Sequence, residues 1–270
     1  MQFHAIASTG RTATTFLARA LDALDGVAAC HEGYRAADKD AEPLLPLINL
    51  ENRQAFHSAD KARDIVAAKR SDAVLSALDI EADTLVDVAY YNPVIARALL
   101  EAHDELKLVA IIRELEPFVR SSTAIEGEDK LPVGWPDPGK SLSPRERFIE
   151  MGRIKPAKGS ADADQWEGWS AIQRNIWLWR ETNALLLEAA KDFPDRVLVM
   201  PFEDLSADPV AFVTCIANHL DITTDGIAPA LDEARGHRNT KSSGYQVGPM
   251  AEWTAEECDM AVAAINATGF

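Results

Sequence analysis

The run Ser8-Thr9-Gly10-Arg11-Thr12-Ala13-Thr14-Thr15 places a glycine, a cation and four threonines between a short apolar segment and an amphipathic one. A strand, turn and helix joined in this way present backbone N–H groups with the positive end of a helix dipole behind them. Hydroxyls at the same end add donors, so the chemistry on offer is the binding of a phosphate-like anion. The same residues also fit a plainer role, in which Thr9 and Thr12 cap a helix and Arg11 is a solvated charge. A nucleoside triphosphate loop would read G-x-x-x-x-G-K followed by Ser or Thr. Here Ser8 and Ala13 stand where the glycines belong, Thr14 stands where the lysine belongs, and the cation lies three positions earlier at Arg11. The charge that holds the β- and γ-phosphates is therefore missing, which argues against phosphoryl transfer from ATP.

A second chemical run, Cys30-His31-Glu32-Gly33-Tyr34-Arg35, follows another short apolar segment. Parallel strands would bring its side chains to the same carboxyl edge of a sheet as the phosphate loop, where His31 or Glu32 could take a proton from a nucleophile. The alternative is a surface pair between Glu32 and Arg35.

Gly10-Arg11-Thr12-Ala13-Thr14-Thr15-Phe16 resembles the 5′-phosphosulfate loop of the sulfotransferases that use 3′-phosphoadenosine 5′-phosphosulfate (PAPS). That loop reads Pro or Gly, Arg or Lys, Ser or Thr, then Gly-Thr-Thr and an aromatic or apolar residue, and Ala13 here replaces its glycine. The resemblance implies that Arg11 contacts the transferring sulfuryl group and its bridging oxygen, that Thr14 and Thr15 hold the 5′-phosphate, and that Phe16 lies near the adenine. Lys107 to Arg113 with Ser121 eight residues on has the spacing of the family's 3′-phosphate site, with Leu115 in place of the usual proline. Read by itself, Arg113 is a strand-end partner for Glu114 or Glu116. Leu198 to Leu205 with Asp208-Pro209 is similar to the family's YEDL..DP strand and turn. Arg238 and Lys241 fall where it has a late basic loop over the cofactor, and Trp253 to Phe270 resembles its closing helix.

The tyrosylprotein branch of this family carries a glutamate base in a C-G-E-E-T-R segment. By that likeness Glu32 is preferred to His31 as the base, with Arg35 as a substrate or ion-pair contact. The implied reaction moves a sulfuryl group from PAPS to a hydroxyl or amine of a small-molecule, glycan or lipid acceptor, and leaves adenosine 3′,5′-bisphosphate (PAP). No metal is implied. A small-molecule kinase and a non-catalytic nucleotide-binding relative are the alternatives.

Positioning these groups requires strands, and five apolar runs supply them: Phe3–Ala7, Val27–Cys30, Thr84–Tyr90, Leu106–Ile112 and Arg196–Met200. Helical spacing marks Phe16 to Leu24 before Gly26, Pro93–Ala102 after Asn92, about Asp164–Lys191, Val210–Leu220, and Thr254–Ala267 with a Thr254/Glu257 capping box. Apolar strands alternating with amphipathic helices predict an α/β fold with a mostly parallel sheet flanked by helices on both faces. Joined to the resemblance, this is a three-layer P-loop-type fold in a single domain over residues 1–270. The stretch through about Arg70 is mixed and mostly polar. Residues 126–163 hold five prolines and five glycines, and read as an irregular acceptor-binding lid with one short helix at Pro144–Met151.

Composition removes other classes of partner. With 27 Lys and Arg against 43 Asp and Glu among 270 residues the net charge is −16, the wrong sign for a nucleic-acid binder. Cys30, Cys215 and Cys258 are far apart and suggest neither a disulfide framework nor a zinc cluster. The histidines are scattered singly. No apolar run approaches the ~18 residues of a membrane span, so a soluble cytoplasmic protein is expected. An acidic chain that binds an anionic donor must concentrate its cations, so Arg11, Arg113, Arg238 and Lys241 are expected to converge on one cleft.

Overall fold

Six strands pair into one sheet: β1 (Gln2–Ser8), β2 (Val27–His31), β3 (Tyr34–Arg35), β4 (Thr84–Ala89), β5 (Leu108–Ile112) and β6 (Val197–Pro201). The computed structural model describes residues 1–36, 42–124, 153–235 and 247–270. The strand order is β3-β2-β4-β1-β5-β6, parallel throughout except for the β2–β3 hairpin. From β1 the chain moves out to β2, returns through β4 at the flank of β1, and crosses to β5 and β6. The order thus reverses at β1, and open α/β sheets bind ligands at the carboxyl ends of the strands at such a switch point.

The strands read as apolar runs because both faces are covered. On one face Ala5, Cys30, Leu85 and Ala110 pack with Ile65 of the Ala59–Lys69 helix, with Ile95 and Leu99 of the Asn92–Ala102 helix, and with Leu186 of the Ala171–Asp192 helix. On the other, Ile6, Val86 and Val109 meet Leu17 and Leu21 of α1 (Thr14–Asp22), together with Phe212, Ile216 and Leu231. A third cluster gathers Trp177, Trp179, Phe118 and Trp253 around the longest helix.

The expected helix over 164–191 is two helices, Ala161–Trp166 and Ala171–Asp192. Ser170 stops it and restarts it: its hydroxyl accepts the Gln173 N–H while the Gln173 side chain accepts the Ser170 N–H. This Ser-x-x-Gln box is written in the sequence but lies inside the run from Trp169 to Trp179 whose apolar spacing reads as continuous helix. The stretch before Arg70 is also more regular than its polarity suggests, with helices at Asn52–His57 and Ala59–Lys69. β3 and the helices Leu115–Thr123, Glu203–Ala207 and Ile227–Arg235 were not expected from the sequence. The short helix expected at 144–151 lies outside the described residues.

One charged pair sits in the interior. Arg70, at the end of the Ala59–Lys69 helix, and Asp87 of β4 are both fully buried, with Nη2 and Nε donating to Oδ2 at 2.9 and 3.1 Å. Arg70 Nη1 donates to the carbonyls of Pro46 and Lys69, each at 2.8 Å, and Nη2 reaches the Tyr91 hydroxyl at 3.3 Å. Every arm of the guanidinium is satisfied, as a buried cation demands.

Candidate functional site

The loop from β1 into α1 is built on left-handed backbone. Gly10, Arg11 and Ala13 have φ of 82°, 59° and 54°. Ser8 Oγ accepts the Gly10 N–H at 3.1 Å and the Thr12 hydroxyl at 2.7 Å, which curls the chain over the end of the strand. Thr12 is buried and its hydroxyl is spent on Ser8, so only its main chain faces a ligand. Ala13 caps α1 with its own carbonyl, which accepts the Leu17 N–H at 2.9 Å.

Ala13 therefore occupies the conformation that suits glycine, although it carries a Cβ. The left-handed region costs an L-residue about 1–2 kcal/mol, partly offset by the freedom that glycine loses on folding. Ala13→Gly is accordingly expected to stabilise the protein by about 0.5–1 kcal/mol, read as a higher midpoint in urea unfolding. A lower midpoint would contradict the left-handed geometry.

Two cations and a hydroxyl from three segments meet at this loop. Arg11 Nε donates to Ser121 Oγ of the Leu115–Thr123 helix at 3.0 Å, and Arg113, just past β5, donates through Nη1 to the Arg11 carbonyl at 2.7 Å. Arg113 is seated by Phe202, whose ring centroid lies 5.0 Å from its Cζ, and by Trp179 Nε1, which donates to its carbonyl at 2.8 Å. Its Nε is buried and has no hydrogen-bond partner. Partial desolvation first, then the charge of Arg113, draws Arg11 below its ordinary range; desolvation does the same to Arg113, against the pull of Glu203 and Glu114. Both remain cations at any working pH. Among the described residues neither guanidinium forms a salt bridge, and Glu116 pairs with Arg120 at 3.5 Å instead. Two adjacent cations that no carboxylate contacts directly among the described residues form a seat for an anionic ligand.

Glu32 and Gly33 form the two-residue turn of the β2–β3 hairpin, with φ of 56° and 89°. Two-residue hairpin turns with both central residues in this region favour Asn-Gly. Gly33 is obligatory, because a Cβ there would lie 2.8 Å from Leu47 Cδ2 and 2.9 Å from the Leu45 carbonyl oxygen. Glu32 has no such excuse, and strain of this kind collects at functional positions. Its N–H donates to the Val88 carbonyl at 3.1 Å, which ties the turn to β4.

The Glu32 side chain is 25% exposed. Burial, followed by the charge of Asp87, pushes its carboxyl up to about 7. His31 Nε2 lies 3.7 Å from Glu32 Oε1, 3.1 Å from Thr14 Oγ1 and 3.3 Å from Thr15 Oγ1. Burial and then Arg19 lower this histidine to about 4, so it is neutral where Glu32 titrates. Tyr90 stands beside Gly10, and its phenol is raised by burial and by Glu32. Arg35 does not pair with Glu32: its Nε donates to the buried Asp22 carboxylate at 2.5 Å, and Asp22 also accepts the Ala29 N–H at 2.8 Å. Arg35 is thus an anchor for the hairpin.

Of the residues singled out in the sequence, Gly10 to Thr15, Arg113, Ser121, His31 and Glu32 come together at the carboxyl edge of the sheet. Phe16 is half-buried and leans on the core. Arg238 and Lys241 lie outside the described residues. Phe202, Trp179 and Tyr90 were not among the candidate site residues. Phe202 stands at the tyrosine place of the YEDL-like segment, a signal read as structural only. Among the described residues no three His, Cys, Asp or Glu side chains converge as a metal site.

No family model and no curated protein sequence matches the chain. Among solved structures, a sulfotransferase from Alicyclobacillus acidocaldarius aligns over 99% of this chain and 94% of its own, at a TM-score of 0.50 and 14% identity. A mouse sulfotransferase in complex with PAP aligns over 98% of this chain and 83% of its own, at 0.50 and 12%. The structural neighbours across nearly the whole chain are thus sulfotransferases, and at these identities the likeness is one of fold.

Proposed function

We propose, from a fold shared with sulfotransferases over nearly the whole chain, that this protein transfers a sulfuryl group from PAPS to a hydroxyl or amine. The observation that carries the reading is the meeting of Arg11, Arg113 and Ser121 above the β1 loop, with neither guanidinium in a salt bridge among the described residues. In this reading the loop N–H groups and the hydroxyls of Thr14 and Thr15 hold the 5′-phosphate, and Arg113 with Ser121 holds the 3′-phosphate. Arg11 leaves Ser121 and places its charge on the bridging oxygen as the sulfur–oxygen bond breaks. Glu32 takes the acceptor's proton while the new oxygen–sulfur or nitrogen–sulfur bond forms, and PAP departs. Arg238 and Lys241 would add charge over the nucleotide. No metal enters this scheme.

Calorimetric titration of the full chain tests it. PAP is expected to bind at least about tenfold tighter than AMP, because charge-assisted contacts to the 3′-phosphate are worth more than neutral ones. Arg113→Ala is expected to erase that preference. Equal affinities for the two nucleotides, or no binding of either, would end the proposal.

A further inference from the structure

His31 lies at the junction of the two halves of the site. It is the last residue of β2 and directly precedes the Glu32 turn. Its Nε2 is within hydrogen-bond reach of both Thr14 and Thr15, the first two residues of α1. These two hydroxyls stand at the start of α1, directly after the left-handed Arg11 and Ala13. A neutral imidazole nitrogen has a single lone pair or a single N–H, so it satisfies the two hydroxyls only in part. With its proton on Nε2 the imidazole donates to a threonine oxygen and leaves both hydroxyl hydrogens free for phosphate oxygens.

We propose that His31 is a positioning residue rather than the base: it holds the Thr14 and Thr15 hydroxyls toward the 5′-phosphate and fixes the Glu32 turn relative to that phosphate. The proposal rests on the PAPS reading above and assigns one atom, Nε2, to joining the donor loop to the base turn. A proton-accepting role for the same nitrogen would require it to leave both threonines. Its neutral state, held by burial and by Arg19, suits a fixed hydrogen-bond partner at the pH where Glu32 is ionised.

Two substitutions test the assignment. Gln carries an amide group at about the reach of imidazole Nε2, whereas Phe fills the space without any polar atom. His31→Phe is expected to weaken PAP binding about tenfold, the worth of one to two lost hydrogen bonds, and to lower kcat as well. His31→Gln is expected to restore PAP affinity to within about threefold of the parent and to recover most of the turnover. The acid limb set by Glu32 should stay in place in the Gln variant. Urea unfolding of both variants checks that the fold is intact, and the Gln variant carries the test if Phe is not tolerated. His31→Gln that binds PAP normally but does not turn over would make His31 a proton-transfer group and overturn the proposal. So would His31→Phe with unchanged PAP affinity. If the parent chain itself fails to prefer PAP over AMP, the PAPS reading fails first and this one falls with it, so the two failures are told apart by the parent titration.

Discussion

Replacing Glu32 by Gln is expected to lower turnover by about 10²–10⁴-fold, the usual contribution of a positioned general base, while PAP affinity stays within about threefold. The carboxylate does not touch the 5′-phosphate in this reading, so the two observables should separate. In the parent, kcat is expected to rise with pH through about 7, where Glu32 loses its proton, and to flatten above that. The stability signature has the opposite sense. A carboxyl whose folded value is raised favours the folded state below its unfolded value of 4.5 and loses that contribution as the pH climbs through about 7. Glu32→Gln should therefore be more stable than the parent at pH 8 and should lose that advantage under acid conditions. Normal turnover in this variant would remove Glu32 from the mechanism. A turnover loss accompanied by an equal loss of stability at pH 8 would make it a structural residue.

Arg70→Met is expected to cost about 3–5 kcal/mol of folding free energy, because it leaves Asp87 charged and unpaired in the interior. The carbonyls of Pro46 and Lys69 lose their donor in the same step. The deficit should depend on pH. Burial pushes the Asp87 carboxyl up and Arg70 draws it back, so without Arg70 the carboxyl keeps its proton to a higher pH. The loss is then smallest in acid and grows as the pH rises. Adding Asp87→Leu to the same chain is expected to recover most of the stability, since a buried ion pair can give way to apolar residues of similar volume at little cost. Urea unfolding at pH 5 and pH 8 reads all of this. An Arg70→Met chain as stable as the parent would mean that the pair is not desolvated.

Much of this was legible in the sequence because strands that are covered on both faces leave an unambiguous trace. All five apolar runs are strands, and the reversal of order at β1 brings three of their carboxyl ends to one site. The approach of Arg11, Arg113 and Ser121 was anticipated by resemblance alone; no local pattern ties positions 11 and 121 together. What stayed hidden were choices made by tertiary contacts. Arg35 goes to Asp22 because that carboxylate is buried and also accepts a backbone N–H, which the nearer Glu32 in sequence does not reveal. The break at Ser170 was hidden by apolar spacing that runs on across it. The strain at Glu32 was also invisible, since Glu-Gly alone does not announce a hairpin as Asn-Gly does.

That turn has an evolutionary reading. Drift governed by folding alone would replace Glu32 with Asn or Gly, which tolerate the left-handed backbone better. In the reading proposed above, selection on the reaction opposes that drift. Chains of this architecture that have shed catalysis should therefore show Asn-Gly or Gly-Gly at the hairpin tip, and those that retain it should keep the glutamate. A single aligned position would then sort working enzymes from silent relatives before any of them is assayed.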